Sequence, residues 1–397
     1  MAAGLGHIVL FGMAVQTAGV IMRGLLLTGG GARGAYQAGV LMGIAKLLDE
    51  PDSFPFPVLT GTSAGAINTI GLASRAPSFT AGTNLLAELW GNLEMDHVFR
   101  TDSVRLAQIG AAWLKNLALG GFLGHDGFNA LLDPQPLRAL LERTFDFAAM
   151  RRQLAAGNLQ GVAVQAAHYG AGASVSFLEA KNPDVAWARA RRLGVQAVLT
   201  VDHVMASTAI PIIFPAVRIG NSYYGDGSVR MTSPFSPAIH LGARRILAVG
   251  VRKQQPMEKL LATLNQSAPR PTLASIVGNL LNAVFLDAID GDLERLSRIN
   301  QTLALIPREA PQGQIALRPI EALMISPSED LGALAKPHLK YFPAELRHLL
   351  RGLGADQPEG ADFLSYILFD RHYCRELIEL GSRDVMKQEA ALQEFFQ

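Results

Sequence analysis

Two stretches decide the fold: RGLLLTGGGARG at residues 23–34 and VLTGTSAG at residues 58–65. Each is a short apolar run that stops at glycines and gives way to helical spacing. Gly24–Leu27 reads as a buried strand entering a turn. The segment after it, Ala35 to Leu48, places Tyr36, Val40, Leu41, Ile44, Leu47 and Leu48 on a helical period. Pro51, Pro55 and Pro57 mark a loop. Val58 and Leu59 then form a second strand that breaks at Gly61, followed by a helix over Ala64–Ser74. Strand, glycine turn and helix, twice in succession, predict an α/β fold with a mainly parallel central sheet flanked by helices.

Further sheet signals lie at Gly161–Ala167, Ser174–Leu178, Val217–Ile219, Ser222–Tyr224 and Arg245–Val251, with a helix around Asp202–Ala209. Residues 82–150 carry spaced apolar and aromatic side chains interrupted by glycines at 120, 121, 124 and 127. They read as helices with a flexible central loop, serving either as a core layer or as a lid or lipid-facing wall. After Val251 the texture changes. Residues 254–271 are polar and proline-bearing, 272–305 are helical, Ala322–Ile325 is a last strand, and 330–397 are helical. The organisation expected is a disordered leader over 1–22, an α/β domain over 23–252 and a mostly helical extension over 253–397. The apolar part of the leader, 8–22, is too short and too interrupted to span a membrane, and it lacks a basic start.

The 35 basic and 34 acidic residues leave a net charge of +1, so there is no electrostatic footprint for nucleic acid. Arg151, Arg152, Arg189, Arg191 and Arg192 form a local basic cluster, either solvated surface or a patch for anionic headgroups. The single cysteine, Cys374, excludes an intrachain disulfide and reads as a packed thiol. No His/Cys/carboxylate spacing suggests a metal site, and none is expected. The chain reads as a cytoplasmic protein that touches membranes at their surface.

Three glycine-rich features carry the chemistry. Gly61-Thr62-Ser63-Ala64-Gly65 fits the nucleophile elbow Gly-x-Ser-x-Gly, in the strand–turn–helix setting that motif needs. There a sharp turn projects the Ser63 hydroxyl, and the following helix start favours developing negative charge. Gly29-Gly30-Gly31-Ala32-Arg33-Gly34 offers free backbone amides to an anion. It fits a dinucleotide fingerprint or an oxyanion hole. Asp49 and Glu50 end the first helix rather than the second strand, which counts against a ribose contact. The third feature is Asp226, held between Gly225 and Gly227. On its own it reads as a turn aspartate.

Taken in order, these blocks resemble the patatin-like phospholipase family. A fourth match is Ala206-Ser207-Thr208-Ala209-Ile210-Pro211 followed by Phe214-Pro215. The resemblance covers about residues 23–250. It implies a Ser–Asp dyad without histidine that cleaves acyl esters of phospholipids and related lipids. Ser63 is then the nucleophile and Asp226 its base. Amides of Gly29, Gly30, Gly31 and Arg33 form the oxyanion hole, supported by Gly34, Gly61, Gly65 and Gly227. No cofactor is implied. Ser228 stands where the family usually has glycine or alanine, and its hydroxyl is placed to bond Asp226 and lower its basicity. The extension, as in Leu364–Asp370, is similar to one found in bacterial members. Two other functions compatible with the motifs are a nucleotide-binding oxidoreductase and a non-catalytic lipid-binding protein. Dinucleotides are expected to leave the melting temperature unmoved; a thermal shift of several degrees with NAD or NADP would restore the nucleotide reading.

Overall fold

The computed structural model describes residues 21–49, 53–100, 130–263, 270–306, 317–357 and 360–397. The proposed leader up to residue 20 and the glycine-rich loop within 101–129 lie outside the described residues. The core is one sheet built from β1 (Arg23–Leu27), β2 (Val58–Thr62), β3 (Gly161–His168), β4 (Ala173–Ala180), β5 (Trp187–Arg189), β6 (Arg192–Gln196), β7 (Val217–Ile219), β8 (Ser222–Asp226), β9 (Arg245–Val249) and β10 (Glu321–Ile325). Its order is β10-β9-β1-β2-β3-β4-β6-β5, with β8 pairing β3 and β7 pairing β8. The run from β10 through β9, β1 and β2 to β3 is parallel throughout. β1 is buried from Gly24 on and β2 throughout, because both their faces are covered.

Helices α1 (Gly34–Leu48), α2 (Ala64–Ala73) and α3 (Phe79–Gly91) follow the two glycine turns. Their core includes Leu25, Leu27, Tyr36, Leu41, Leu59, Ile67 and Trp90. The opposite sheet face presents Leu26, Val58, Ala163, Ile246 and Ala248 to Phe235, Ile289 and Leu296. Alternate residues of β1 therefore enter separate cores, the signature of a three-layer α/β/α arrangement.

The segment after residue 253 supplies β10, which extends the sheet beyond β9. Its Arg371–Lys387 helix lies directly on α1. A Cβ on Gly39 would stand 2.1 Å from the Ile378 carbonyl oxygen, and one on Gly381 would stand 2.3 Å from that of Tyr36. Two facing glycines thus set how closely these helices cross.

β2 continues through Gly61 and Thr62, past the break expected at Gly61. Leu27 pairs Gly61 on one side and Gln165 pairs Thr62 on the other, so neighbours on both edges hold the chain extended. The hairpin β5–β6 carried no clear periodicity, being short and at the sheet edge. It places Arg189 opposite Arg192, with Arg191 at the turn. Arg151 pairs instead with Glu179, and Arg152 with Asp146, so the basic cluster divides. Cys374 is buried, which pushes its thiol up to about 12, a packed group as expected.

One topological feature positions the site. Along a single edge of β3, β2 pairs residues 161–165 in parallel, and β8 pairs residues 166–168 antiparallel. β2 and β8 therefore run toward each other and end at the same place. A methyl group at Gly65 would lie 2.1 Å from the Leu27 carbonyl oxygen. Gly65→Ala is expected to cost about 3 kcal/mol or more in denaturant unfolding. Gly291→Ala, on an exposed helical turn with open space around it, should instead stabilise by about 0.5–1 kcal/mol.

Candidate active site

Ser63 lies between β2 and α2 with φ 54° and ψ −124°, a conformation that a non-glycine residue adopts at a cost of about 1–3 kcal/mol. Close packing imposes it. A Cβ on Gly61 would fall 2.2 Å from the Gly65 carbonyl oxygen, so strand and helix touch backbone to backbone around the serine. The Ser63 N–H donates to the Ser207 hydroxyl at 2.9 Å, and that hydroxyl donates to the Gln165 carbonyl at 2.5 Å. Ser207, at the end of the Val201–Ser207 helix, thus ties the elbow to β3. The Thr62 hydroxyl adds a second tie, donating to Gln165 Oε1 at 2.8 Å.

Asp226 ends β8 and is fully buried. Its N–H donates to the Ala209 carbonyl at 2.8 Å. Its Oδ1 accepts the Ser228 N–H at 2.9 Å, while Oδ2 is buried with no hydrogen-bond partner among the described residues. Burial pushes this carboxyl up to about 7; the nearby Ser63 hydroxyl and the Ser228 contacts offset part of that rise. The Ser228 hydroxyl is itself buried with no hydrogen-bond partner among the described residues, and the Ser228 N–H gives the carboxylate its one well-formed bond there.

The first glycine turn completes the group. Gly31 has φ 56°, which favours glycine, and the turn Gly31–Arg33 leads into α1. The Arg33 N–H donates to the Gly30 carbonyl at 3.2 Å. That amide, expected to face an oxyanion, is engaged in closing the turn. The Gly29 and Gly30 amides donate to no acceptor among the described residues. A Cβ on Gly29 would sit 2.4 Å from Ser228 Oγ, 2.7 Å from Phe285 Cδ1 and 3.2 Å from Ser63 Cβ. The three motif blocks therefore converge on one point. Gly34 and Gly227 are close-approach positions as well: a Cβ on the first would meet Ala64 at 2.8 Å, and on the second the Gln165 carbonyl at 2.2 Å.

Beneath the turn, Asn68 of α2 donates to the Gly34 carbonyl at 3.0 Å and accepts from Trp90 Nε1 at 2.7 Å. The Arg33 side chain points into the extension. Its Nε donates to Ser365 Oγ at 2.8 Å, a terminal nitrogen reaches Asp362 at 2.6 Å, and the guanidinium lies 4.2 Å from the Tyr366 ring centre. A small cavity beside Ser63 is lined by Gly29, Thr62, Ser228, Met231, Phe285 and Ile289.

Residues 25–239 match the family model described as patatin-like phospholipase. The chain belongs to the patatin-like phospholipase family. A cGAMP-activated phospholipase of Pseudomonas aeruginosa (strain BWHPSA011 / Pa011) is 27% identical over 217 residues, 54% of this chain and 55% of that protein. The chain thus spans about half the length of this curated relative. Among solved structures, human GIVD cytosolic phospholipase A2 in complex with methyl gamma-linolenyl fluorophosphonate is 15% identical. It aligns with TM-score 0.42 over 95% of this chain and 59% of that one. VipD from Legionella pneumophila is 10% identical, with TM-score 0.34 over 87% and 66%. At those scores neither neighbour bears on this chain's chemistry.

Ser63, Asp226 and the glycine turn all fall within the patatin-like stretch, whereas Phe285, Asp362 and Tyr366 lie beyond it. Ser207 was visible as part of a motif, but its bridging bond depends on where β3 runs. Phe285 and Asp362 carried no local signal. Asp226→Asn removes a buried carboxyl whose proton affinity is raised above its ordinary value. Wild type takes up a proton on folding between pH 3.8 and about 7, a cost that grows across that window and is constant above it. The variant is expected to gain stability over wild type across that window and keep the gain at higher pH, as followed by thermal unfolding. Turnover should fall about 10²–10⁴-fold.

Proposed function

We propose that the protein hydrolyses carboxyl esters of phospholipids or lysophospholipids through a dyad of Ser63 and Asp226. The observation that carries this reading is a buried carboxylate, raised to about 7 and with one oxygen unpartnered among the described residues, at the same strand junction as a strained elbow serine. Triads use imidazole as the base because its pKa lies near working pH. Here burial raises a carboxyl to about 7, which removes the need for histidine.

The steps balance as follows. Ser63 Oγ attacks the ester carbonyl carbon while its proton passes to Asp226. The tetrahedral oxyanion is met by the amides of Gly29, Gly30 and Gly31. Collapse expels the alcohol, which takes the proton from Asp226 and leaves an acyl-Ser63 ester. Water attacks that ester, again giving its proton to Asp226. Collapse releases the fatty acid, and the proton returns to Ser63 Oγ. Met231, Phe285 and Ile289 give the small cavity next to Thr62 and Ser228 an apolar wall. The reading places the protein on the cytoplasmic side, in peripheral contact with a lipid surface.

A fluorophosphonate probe is expected to label the wild type and not Ser63→Ala; an unlabelled wild type would favour a non-catalytic lipid-binding protein. Since the base must be ionised, kcat/KM on a soluble ester should fall about tenfold per pH unit below pH 7 and level off above it. Ser228→Gly, which removes a hydroxyl that favours the ionised base, should move this limb to higher pH. Ser207→Ala should lower the rate and cost about 1–3 kcal/mol of stability, because two buried backbone groups lose a partner.

A further inference from the structure

The proposed site is shut. Ser63 is 2% exposed and Asp226 0%. What closes it is the C-terminal end of the Leu273–Phe285 helix, whose Phe285 ring packs against Gly29 beside Ser63. Asn282 on the same helix donates to Asp362 at 2.9 Å and accepts from the Tyr366 hydroxyl at 2.8 Å. Asp362 and Tyr366 are the residues that hold Arg33. The helix is therefore attached to the glycine turn through one short chain of polar contacts.

Its outer face is of another kind. Leu273, Ile276 and Leu280 are 56%, 46% and 61% exposed, at positions that share one helical face. Between Arg270 and Asp287 there is no charged residue. Large apolar side chains this exposed, aligned and uncharged mark an interaction surface. The uncharged part is thirteen residues, about 20 Å of helix. Taken with the helix that follows it, the Leu273–Ala304 stretch is by length and composition apolar enough to cross a membrane, but Asp287, Asp290, Asp292 and Glu294 crowd the first turns of that second helix and confine the apolar stripe to the first. The length and one-sided apolarity fit a helix lying in the plane of an interface. Arg270 stands exposed just before its start. Arg351 is exposed on the neighbouring helix, whose Leu353 carbonyl accepts the Ala274 N–H at 2.9 Å. Both cations suit anionic headgroups.

We propose that the Leu273–Phe285 helix is a membrane-docking lid: its outer stripe of Leu273, Ile276 and Leu280 seats on an anionic phospholipid surface, and its displacement there withdraws Phe285 from Ser63. The proposal rests on the hydrolase reading above. It couples substrate supply to access, because the surface that opens the site is the one that holds the ester.

The test uses the full chain with vesicles of phosphatidylcholine and phosphatidylglycerol and, separately, a soluble monomeric ester. Leu280→Asp changes an exposed side chain, so the fold is expected to survive. It should lower co-sedimentation with vesicles, and the ratio of vesicle to soluble-ester hydrolysis, about tenfold or more. Leu280→Trp should bind vesicles at least as well as wild type, and its emission should shift to the blue on their addition. An unchanged ratio in Leu280→Asp together with no shift in Leu280→Trp overturns the proposal. A wild-type dimer that Leu280→Asp dissociates, without vesicle binding, overturns it in favour of a second copy of this chain. If wild type cleaves neither ester, the hydrolase reading fails, and the Leu280→Trp emission still decides whether this helix meets lipid.

Discussion

Two strands meeting end to end along one edge of β3 are the constraint on which this structure depends. β2 ascends that edge and β8 descends it, and β3 pairs with both in continuous register. Thr62 opposite Gln165 and Asp226 opposite Ala166 fix where each strand stops. The residue that ends β8 and the one that follows β2 are thereby brought together without any loop having to fold over. Bringing a carboxylate to a serine by hydrogen-bonded register is a stiffer solution than placing it on a mobile connection.

That junction is costly to build. It holds Ser63 in a strained backbone conformation and leaves one oxygen of a buried carboxylate without a partner among the described residues. Both would relax in a looser structure. They persist because the surroundings are over-determined: Gly61 and Gly65 allow backbone contact on either side of the serine, Ser207 takes up its amide, and Asn68 holds the neighbouring turn. Strain and unmet hydrogen bonding meeting at one junction are what a reactive site requires.

The C-terminal extension belongs to the same construction. β10 completes the sheet next to β9, a long helix crosses α1 at glycine-to-backbone distance, and Asp362, Ser365 and Tyr366 enclose Arg33. A buried guanidinium needs this degree of pairing, since an uncompensated charge there would be strongly destabilising. The shape of the glycine turn thus depends on residues more than 300 positions away in the chain.

The amino-acid sequence by itself determined the α/β class, the two strand–glycine–helix units and the identities of Ser63 and Asp226 as candidates. Those features are local: apolar runs, glycine turns and helical spacing are set within a dozen residues. It did not determine that β2 runs through Gly61, that β5 and β6 form an edge hairpin, or that the Arg33 amide closes its own turn. Neighbouring strands and the turn's own hydrogen bonding decide these. Nor could local pattern place Ser207 under the elbow, Phe285 over it or Asp362 against Arg33. Those are long-range contacts, fixed only when the sheet register and the packed extension bring distant segments together, and a carboxyl's proton affinity likewise follows from the burial that this packing creates.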